Sequence, residues 1–168
     1  PAQSVLVEPF ALANRLVTVG DWKTFARECG YEKPELWLSE GFDWVLRNEV
    51  RAPLYCTREG DSLVAFGLEG TRELHDDEPL SHVSFYEADA LARFMGARLP
   101  TELEWEVAVR ARELDPQLGN FLDDDALRPR ATHERARDDL TQCFGDVWEW
   151  TASAYSPYPG FRTTEGAL

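Results

Sequence analysis

The sequence has no long apolar run and little cysteine. No segment approaches the roughly 20 consecutive apolar residues that span a bilayer, and the N-terminus lacks the charged start and cleavage pattern of a signal peptide. The cysteines are Cys29, Cys56 and Cys143, widely spaced and without a CxxC pair, which argues against a disulfide framework and a zinc site. These absences predict a cytoplasmic protein that does not associate with membranes.

Basic residues and histidines are also few. The chain has 17 lysines and arginines and 31 acidic residues, which gives a net charge of −14. Because this charge repels phosphate backbones, nucleic acid is not an expected partner. His75, His82 and His133 are not at the spacing that puts two imidazoles on one helix face. GxSxG, P-loop and GxGxxG motifs are missing as well. We therefore expect no iron ligands in this chain.

What the sequence does contain is enough for one domain with an aromatic core. A folded chain of 168 residues buries roughly 70% of its unfolded surface, and 12% of the residues are aromatic. No repeat or flexible linker divides the chain, so we predict a single domain over 1–168. Because the chain starts at Pro1 and stops at EGAL, we also expect this domain to be incomplete.

The first two thirds of the chain give mixed signals. Alternation predicts strands in SVLVEPF, in ALANRLVTV and in DSLVAFGLEG. A helix is predicted from Gly20 to Gly30, with one apolar face of Trp22, Phe25, Ala26 and Cys29. Residues 31–55 have no sustained period, which predicts a long loop held by buried rings. The acidic TRELHDDEP is predicted to be a solvated turn.

Two capping boxes are the clearest local signals. SFYE and TELE each predict a helix start. The first helix has the apolar stripe Ala88, Leu91, Ala92 and Met95, and the second turns Trp105, Ala108 and Val109 inward. Between them, Arg98 is expected to bond the last carbonyls of the first helix. An acidic, aperiodic surface excursion follows at about 113–139, and the whole pattern predicts an α+β fold.

The stretch FGDVWEWTAS leaves two interpretations open for Glu149. Its alternation fits a half-buried strand or turn with Glu149 on the wet face, or a Glu149 buried for a specific task. Cys143 beside it is either a reactive thiol or, more often in such a setting, a small buried hydrophobe. TASAYSPYPGF is a stiff aromatic loop. Its rings either pack or line a substrate, with a phenol as proton donor.

A family resemblance accompanies these motifs. HVSFYEADALARFMGARLPTELEWEVA followed by FGDVWEWTAS resembles the formylglycine-generating-enzyme-like (sulfatase-modifying factor) domain, a C-type-lectin-like fold with little regular secondary structure. CGYEKPELWLSEGFDWV, RAPLY and WTASAYSPYPGF resemble, more narrowly, the C-terminal domain of ergothioneine-type sulfoxide synthases. The resemblance covers nearly the whole chain and implies a domain cut at both ends.

The resemblance implies a function and its partners. Sulfoxide synthases of this type are oxygen-dependent nonheme iron enzymes that join the thiol of cysteine or glutamylcysteine to trimethylhistidine. Their Fe(II) is held by three histidines of an N-terminal iron-binding domain, which this chain lacks, so the fragment alone is expected to be inactive. Two alternatives stay open: a lectin-like binding or scaffold module without oxidative activity, and a formylglycine-generating sulfatase-modifying enzyme.

The resemblance also implies site residues. Tyr155, Phe161 and Arg162 belong to a loop that lies near the active site in relatives, and the catalytic tyrosine of some relatives corresponds to Tyr158 or, alternatively, to Phe161. In formylglycine-generating relatives a structural calcium is bound by the positions that match Gln142, Gly145, Val147 and Glu149, with Asn in place of the glutamine.

Overall fold

The computed structural model describes residues 4–132, 139–157, 159–163 and 166. Within those ranges the regular structure is four α-helices, three β-strands and short 3-10 helices. The helices are α1 (Val19–Arg27), α2 (Ser39–Arg47), α3 (Phe85–Phe94) and α4 (Glu102–Ala111), and the strands are β1 (Cys56–Glu59), β2 (Ser62–Gly67) and β3 (Gly70–Glu73). The predicted α+β class is confirmed. No helix of the described part has the length and apolar character that a membrane crossing requires.

The strands form one small antiparallel sheet in the order β1-β2-β3. Cys56 of β1 pairs with Ala65 of β2, and Val64 of β2 pairs with Glu73 of β3. Successive side chains of β2 point to opposite faces of the sheet. Leu63 is fully buried and marks the side that faces the core. The strand predicted in DSLVAFGLEG is confirmed.

The predicted solvated turn TRELHDDEP is wrong in two respects. Its first residues belong to β3, because they complete a tight hairpin with β2. Glu78 is buried, with both carboxylate oxygens bonded to Arg72 at 2.9 and 2.6 Å. That pairing holds the pKa of Glu78 below its usual value despite burial, which by itself raises the pKa.

The core is aromatic, as the composition predicts. Phe25 is only 1% exposed, and its ring centroid lies 5.2 Å from Tyr31, 6.3 Å from Trp37 and 5.5 Å from Phe94. The contacts with Tyr31 and Phe94 are edge-to-face, the arrangement that aromatic quadrupoles favour. Gly30 lies directly over the Phe25 ring, where a Cβ would approach to 2.3 Å. The core therefore joins α1 to α3.

Helix α1 has the predicted apolar face with one exception. Trp22, Phe25 and Ala26 are buried, and Thr18 and Asp21 form a capping box at the start. Cys29, however, lies beyond the helix end with a φ of 59° and is exposed. The helical spacing fails there because the chain has already left the helix.

The loop predicted over residues 31–55 is wrong, because this segment holds α2 and two 3-10 helices, Gly30–Glu32 and Pro34–Leu36. Leu38 at the N-cap makes no side-chain cap, and Gly41 inside the helix is a weak helix former, so local signals are poor. Gly41 is needed for packing: a Cβ there would lie 2.7 Å from the Tyr86 ring. Contact with α3 stabilises α2.

The two strands predicted before α1 do not form in the described residues from position 4 onwards. Among the described residues the β-pairing of this segment is limited to an isolated bridge, Thr18 with Pro79, flanked by bonds from Val19 N to Glu78 O and from Leu80 N to Val17 O. Alternating apolar and polar residues do not form a β-strand by themselves, because the backbone must also hydrogen-bond to a neighbouring strand.

Both predicted capping boxes are confirmed. Ser84 with Glu87 opens α3, and Thr101 with Glu104 opens α4. The predicted stripe of α3 is partly wrong: Met95 is 47% exposed, and Glu87 is buried against the core. The role expected for Arg98 is also wrong.

Arg98 binds Glu104 and not the end of α3. Its guanidinium contacts the two carboxylate oxygens at 2.9 and 2.6 Å and also donates to Leu99 O. Such a two-bond pair matches the planar geometry of both groups. It holds the pKa of Glu104 at about 2, with help from the Thr101 backbone N–H.

Candidate functional site

The candidate site is the FGDVWEW turn together with the segments that hold it. Gln142, Gly145 and Asp146 all have left-handed backbones, with φ values of 59°, 75° and 51°. Gly145 pairs in parallel with Asn120, and a Cβ on Gly145 would lie 2.4 Å from Asn120 O. The chain can approach this closely only at a glycine. Of the strand or turn predicted at FGDVWEW, the structure shows a turn, and this turn is held against the excursion.

Asp146 is the centre of a hydrogen-bond cluster. Its Oδ1 accepts from Asn120 Nδ2 at 2.7 Å and from Arg130 N at 2.8 Å, and its Oδ2 accepts from Gln142 Nε2 at 3.1 Å. Gln142 Nε2 also donates to Arg130 O. The carboxylate thus joins the turn to Asn120 and Arg130 of the excursion, 26 and 16 positions away, and the excursion packs on the turn.

A polar cavity of about 360 Å³ opens beside this cluster. Asn120 Oδ1 is buried there without a hydrogen-bond partner among the described residues. A buried acceptor of this kind is usually satisfied by water or by a polar group of a ligand. The lining residues are Gln117, Leu118, Gly119, Asn120, Asp124, Arg130, Ala131, Thr132, Gln142, Phe144 and Asp146.

Glu149 points toward α4. Its Oε1 accepts a hydrogen bond from Trp105 Nε1 at 3.3 Å, and the Trp105 ring stacks edge-on against Phe144 at 5.9 Å. The residue as a whole is exposed, but its carboxyl is removed from water, and this raises its pKa to about 7 in spite of the Trp105 bond. Two interpretations were open for Glu149. The structure favours the second, because the carboxyl makes a specific contact with Trp105 instead of facing only water.

Cys143 behaves as a small hydrophobe and not as an activated thiol. Partial burial, together with the charges of Glu149 and Asp139, raises the pKa of its thiol to about 11. A reactive cysteine needs a lowered pKa, because the thiolate is the nucleophile.

Only one of the two tryptophans of the motif anchors the turn. Trp150 Nε1 donates to Val83 O at 3.0 Å, and its ring lies 5.9 Å from Phe85. Trp148 is 100% exposed. The segment after Trp150 is held as well, since Ala152 N donates to Pro100 O and Ser153 Oγ accepts from Glu102 N. The aromatic loop thus starts from the N-termini of α3 and α4.

The aromatic loop itself extends away from the body of the domain. Tyr155 is fully exposed, Phe161 is 62% exposed, and Arg162 is exposed. The described rings therefore do not pack in the core, and a substrate contact of the loop stays a prediction. The catalytic candidate Tyr158 lies outside the described residues.

Comparison with known proteins gives the family. The model of the sulfatase-modifying factor enzyme 1-like domain matches residues 1–167. The chain belongs to this sulfatase-modifying factor family. Hercynine oxygenase of Mycobacterium tuberculosis is 34% identical over 96% of this chain, and that of Mycolicibacterium smegmatis is 36% identical over 96%. The mouse inactive C-alpha-formylglycine-generating enzyme 2 is 31% identical over 94%.

These matches cover nearly all of this chain but only part of each relative. The chain spans 41% of the length of each of these two hercynine oxygenases and 62% of the mouse protein. The expected resemblance to the sulfatase-modifying factor family, with hercynine oxygenases among the most similar relatives, is confirmed.

The calcium site implied by the resemblance is not supported in this member of the sulfatase-modifying factor family. Gln142 directs its amide to Asp146 and Arg130, whereas Glu149 binds Trp105. Ca²⁺ needs converging oxygens, and these two side chains are directed to different partners. Gly145 and Val147 are left without the two side chains that would complete the set. A calcium ion at these four positions is therefore not proposed.

The described residues do not provide an iron ligand set either. Across the described ranges no three His, Cys, Asp or Glu side chains lie close enough together to hold a metal ion. His75 lies in a loop, and His82 has a φ of 63° with its ring against Tyr55 at 5.4 Å. His133 lies outside the described residues. The two described histidines are thus turn and loop residues, as predicted.

Sequence reasoning missed the Asp146 cluster and the role of Trp105. Asn120 lies in the segment expected to be solvated, and Asp146 was not singled out. The available signal was the Gly145-Asp146 pair, since both residue types are common at left-handed turn positions. Such a pair does not tell which distant segment the turn binds.

Proposed function

We propose that this chain is the substrate-organising domain of a nonheme-iron, oxygen-dependent sulfoxide synthase of the ergothioneine type. The complete enzyme would form a C–S bond between a cysteine-type thiol and the imidazole carbon of hercynine, the trimethylated histidine. In the balanced reaction the thiol S–H and the imidazole C–H lose their hydrogens. O₂ supplies the sulfoxide oxygen and accepts those hydrogens as water.

One observation carries this proposal: hercynine oxygenases match 96% of the chain. PELWLSEG forms the entry to α2, and RAPLY leads from α2 into β1. These two segments are the ones that resemble sulfoxide synthases more than formylglycine generators. PELWLSEG packs against α3, where Gly41 contacts the Tyr86 ring, and RAPLY is held by the bond from Leu54 N to His82 O.

Within that enzyme this chain would supply a wall of the substrate site. The aromatic loop begins at a fixed point, because Trp150, Ala152 and Ser153 are bonded to Val83, Pro100 and Glu102. Beyond that point Tyr155 and Phe161 are exposed, so their rings are available to contact a substrate or another domain. We propose Tyr155, Phe161 and Arg162 as substrate-contacting residues and Tyr158 as proton donor.

Fe(II) would be bound outside this chain. The described residues do not provide three converging ligands, so an N-terminal iron-binding domain would have to supply them. Iron would activate O₂ for the oxidation, and the residues of this chain would orient the two substrates beside it. In this arrangement the substrate site would lie between the iron-binding domain and this chain, and ligand sites are frequent at such domain interfaces.

The test is an assay of the complete polypeptide that contains these 168 residues. With Fe(II), O₂ and hercynine, it is expected to convert cysteine or glutamylcysteine to the hercynyl sulfoxide, which mass spectrometry identifies. Phe161→Ala is expected to raise KM for a substrate, whereas Leu122→Ala, at an exposed residue outside the loop and outside the cavity lining, is the control. No C–S product with either thiol would reject the proposal.

A binding or scaffold role is the second candidate. The observation in its favour is that a relative that covers nearly the whole chain is named an inactive enzyme. This role predicts binding of a ligand without turnover under the assay above. Formylglycine production from a sulfatase peptide, with copper dependence, would instead identify the third candidate.

A further inference from the structure

Two hydrogen bonds hold the start of the aromatic loop beside the N-terminal ends of α3 and α4. Trp150 Nε1 donates to Val83 O at 3.0 Å, and Val83 directly precedes the N-cap of α3. Ala152 N donates to Pro100 O at 2.8 Å, and Pro100 directly precedes the N-cap of α4. These bonds locate the chain as far as Ala152, at the point where both helices begin.

The next residue, Ser153, makes a bond of a different kind. Its Oγ accepts a hydrogen bond from Glu102 N at 3.0 Å, across 51 positions of sequence. Glu102 is the first residue of α4, and a backbone N–H at that position has no acceptor inside its own helix. A side-chain oxygen of the loop therefore serves as the acceptor for the helix start, and the helix in turn holds the Ser153 side chain.

The Ser153 bond is separate from the capping box of α4. Thr101 N donates to Glu104 Oε2 at 2.7 Å, and Glu104 N donates to Thr101 Oγ1 at 3.2 Å. Both of these bonds lie within the helix start and do not involve the loop. Helix α4 therefore keeps its capping box without Ser153, and what the Ser153 hydroxyl adds is a fixed position of the loop against α4.

The residues after Ser153 are stiff, so the direction set at Ser153 is carried along the loop. Tyr155 follows two residues later, at most about 7 Å away along an extended chain. Pro157 and Pro159 each fix one backbone dihedral, φ, at about −65°. A small change of angle at the base of a stiff segment moves its far end more than its base. The positions of Tyr155 and Phe161 therefore depend on how the chain leaves Ser153.

This dependence gives Ser153 a role in the substrate site. Resting on the proposed function, in which Tyr155 and Phe161 contact a substrate, we infer that Ser153 is a positioning residue of that site. It acts through its bond to Glu102 N, which sets the path of the aromatic loop against α4. Misplacing a group of an active site by about 1 Å can lower a rate by about a hundredfold, so one bond at the base of the loop has a measurable effect.

The experiment compares three variants of the complete polypeptide that contains these 168 residues. Ser153→Ala removes the acceptor of Glu102 N, and Ser153→Thr keeps a hydroxyl there. Thr101→Ala is the matched control, because it removes one acceptor at the same end of α4, that of Glu104 N, and leaves the loop bonds in place. For each variant we would measure thermal unfolding, hydrogen exchange of the peptide over residues 150–157, and steady-state kinetics with hercynine.

Ser153→Ala is expected to speed hydrogen exchange over residues 150–157 by about two- to tenfold, the range that matches the net contribution of one hydrogen bond. Its kcat/KM is expected to fall on the order of tenfold, mainly through a higher KM. Ser153→Thr is expected to restore both values. Thr101→Ala is expected to lower the melting temperature at least as much as Ser153→Ala, with exchange and kcat/KM unchanged.

Four results would overturn the inference. They are unchanged exchange in Ser153→Ala, faster exchange with an unchanged kcat/KM, equal changes of both values in Thr101→Ala, and no recovery in Ser153→Thr. The second and third would leave Ser153 with a stabilising role alone.

Hydrogen exchange does not depend on turnover, so failure of the inference and failure of the proposed function are distinguishable. If the unmodified polypeptide forms no C–S product, the proposed function is rejected together with the role of Ser153 in a substrate site. Faster exchange in Ser153→Ala would then still show that this residue fixes the loop. Unchanged exchange in an active enzyme would reject Ser153 alone and retain the function.

Discussion

Trp105 Nε1 donates a hydrogen bond to Glu149 Oε1 across 3.3 Å, which joins α4 to the FGDVWEW turn. The carboxyl of Glu149 lies where its charged form is poorly solvated, and its pKa rises to about 7 from the usual 4.5. Folding therefore favours the protonated form of Glu149. At neutral and higher pH the ionised form weakens the fold.

Glu149→Gln is expected to stabilise the protein at high pH. Below pH 4.5 the carboxyl is protonated in both the folded and unfolded chains, so it adds no pH-dependent penalty. As pH rises, the unfolded chain ionises first, and the penalty is complete above about pH 7. Glutamine keeps an acceptor for Trp105 without the charge. At pH 8 we expect Glu149→Gln to raise the melting temperature, by roughly 2–4 °C for each kcal/mol that it adds to the free energy of unfolding.

The control for Glu149 is Glu35→Gln, at an exposed carboxylate. Its melting temperature is expected to follow that of the unmodified protein at both pH 5 and pH 8. An equal effect of Glu149→Gln at the two pH values would show that ionisation of Glu149 is not the cause.

Arg98→Met is expected to lower the melting temperature by several degrees, because it leaves the buried Glu104 carboxylate without its two-bond partner. Arg110→Met is the control, since Arg110 contacts Glu106 at 3.3 Å on the surface and is 79% exposed. Exposed pairs of this kind contribute little. Thermal unfolding by circular dichroism measures both.

The Arg98 effect has a defined pH dependence. The pKa of Glu104 is lowered to about 2, so the stabilisation is present above pH 4.5 and is lost as pH falls toward 2. The difference between Arg98→Met and the unmodified protein should shrink over that range. A difference that stays constant down to pH 2 would contradict the ion pair.

Gly145→Ala tests the contact between the turn and the excursion. A Cβ at Gly145 would lie 2.4 Å from Asn120 O in addition to the strain of a φ of 75°. Gly60→Ala is the control, because Gly60 has a φ of 62° but no atom within 4 Å of the added Cβ.

The two glycine variants should differ clearly in denaturant unfolding. Gly60→Ala is expected to cost roughly 1–2 kcal/mol, the cost of the left-handed backbone alone. Gly145→Ala is expected to cost about 3 kcal/mol or more, since backbone atoms must shift as well. Equal losses would mean that the excursion does not pack on the turn.

Tyr31→Phe tests the buried network between α1 and α3. Trp22 Nε1 donates to Tyr31 Oη at 3.0 Å, and Tyr31 Oη donates to Glu87 Oε1 at 2.8 Å. Without the hydroxyl, a buried indole N–H and a buried carboxyl each lose a partner, at a cost of about 1–3 kcal/mol. Tyr86→Phe is the control, because Tyr86 Oη bonds Glu40 at the surface. A loss in Tyr86→Phe as large as in Tyr31→Phe would argue against the buried network.

Local signals were enough to predict part of the fold from the sequence. The starts of α3 and α4 follow from Ser84 with Glu87 and from Thr101 with Glu104, pairs only three residues apart. The face of α1 follows from its helical spacing, and the family follows from long motifs in a fixed order. These features depend on neighbours along the chain, which the sequence displays directly.

Other elements depend on contacts that a sequence does not display. Helix α2 has no side-chain cap and contains Gly41, and it is stabilised by the fit of that glycine against Tyr86. The alternating sequences SVLVEPF and ALANRLVTV, before α1, predicted two strands. Among the described residues no neighbouring strand pairs with them. In both cases tertiary packing overrides local preference, because helical and strand propensities are worth at most about 1 kcal/mol per residue.

The sequence by itself determined the family, the α+β class, the aromatic core and the starts of α3 and α4, because each depends on composition or on residues a few positions apart. Only the tertiary structure decided the candidate site. Asp146 meets Asn120 across 26 positions, and Glu87 meets Tyr31 across 56. It also turned Trp148 outward and Glu149 toward Trp105. Buried polar groups need specific partners, and only the folded chain brings those partners together.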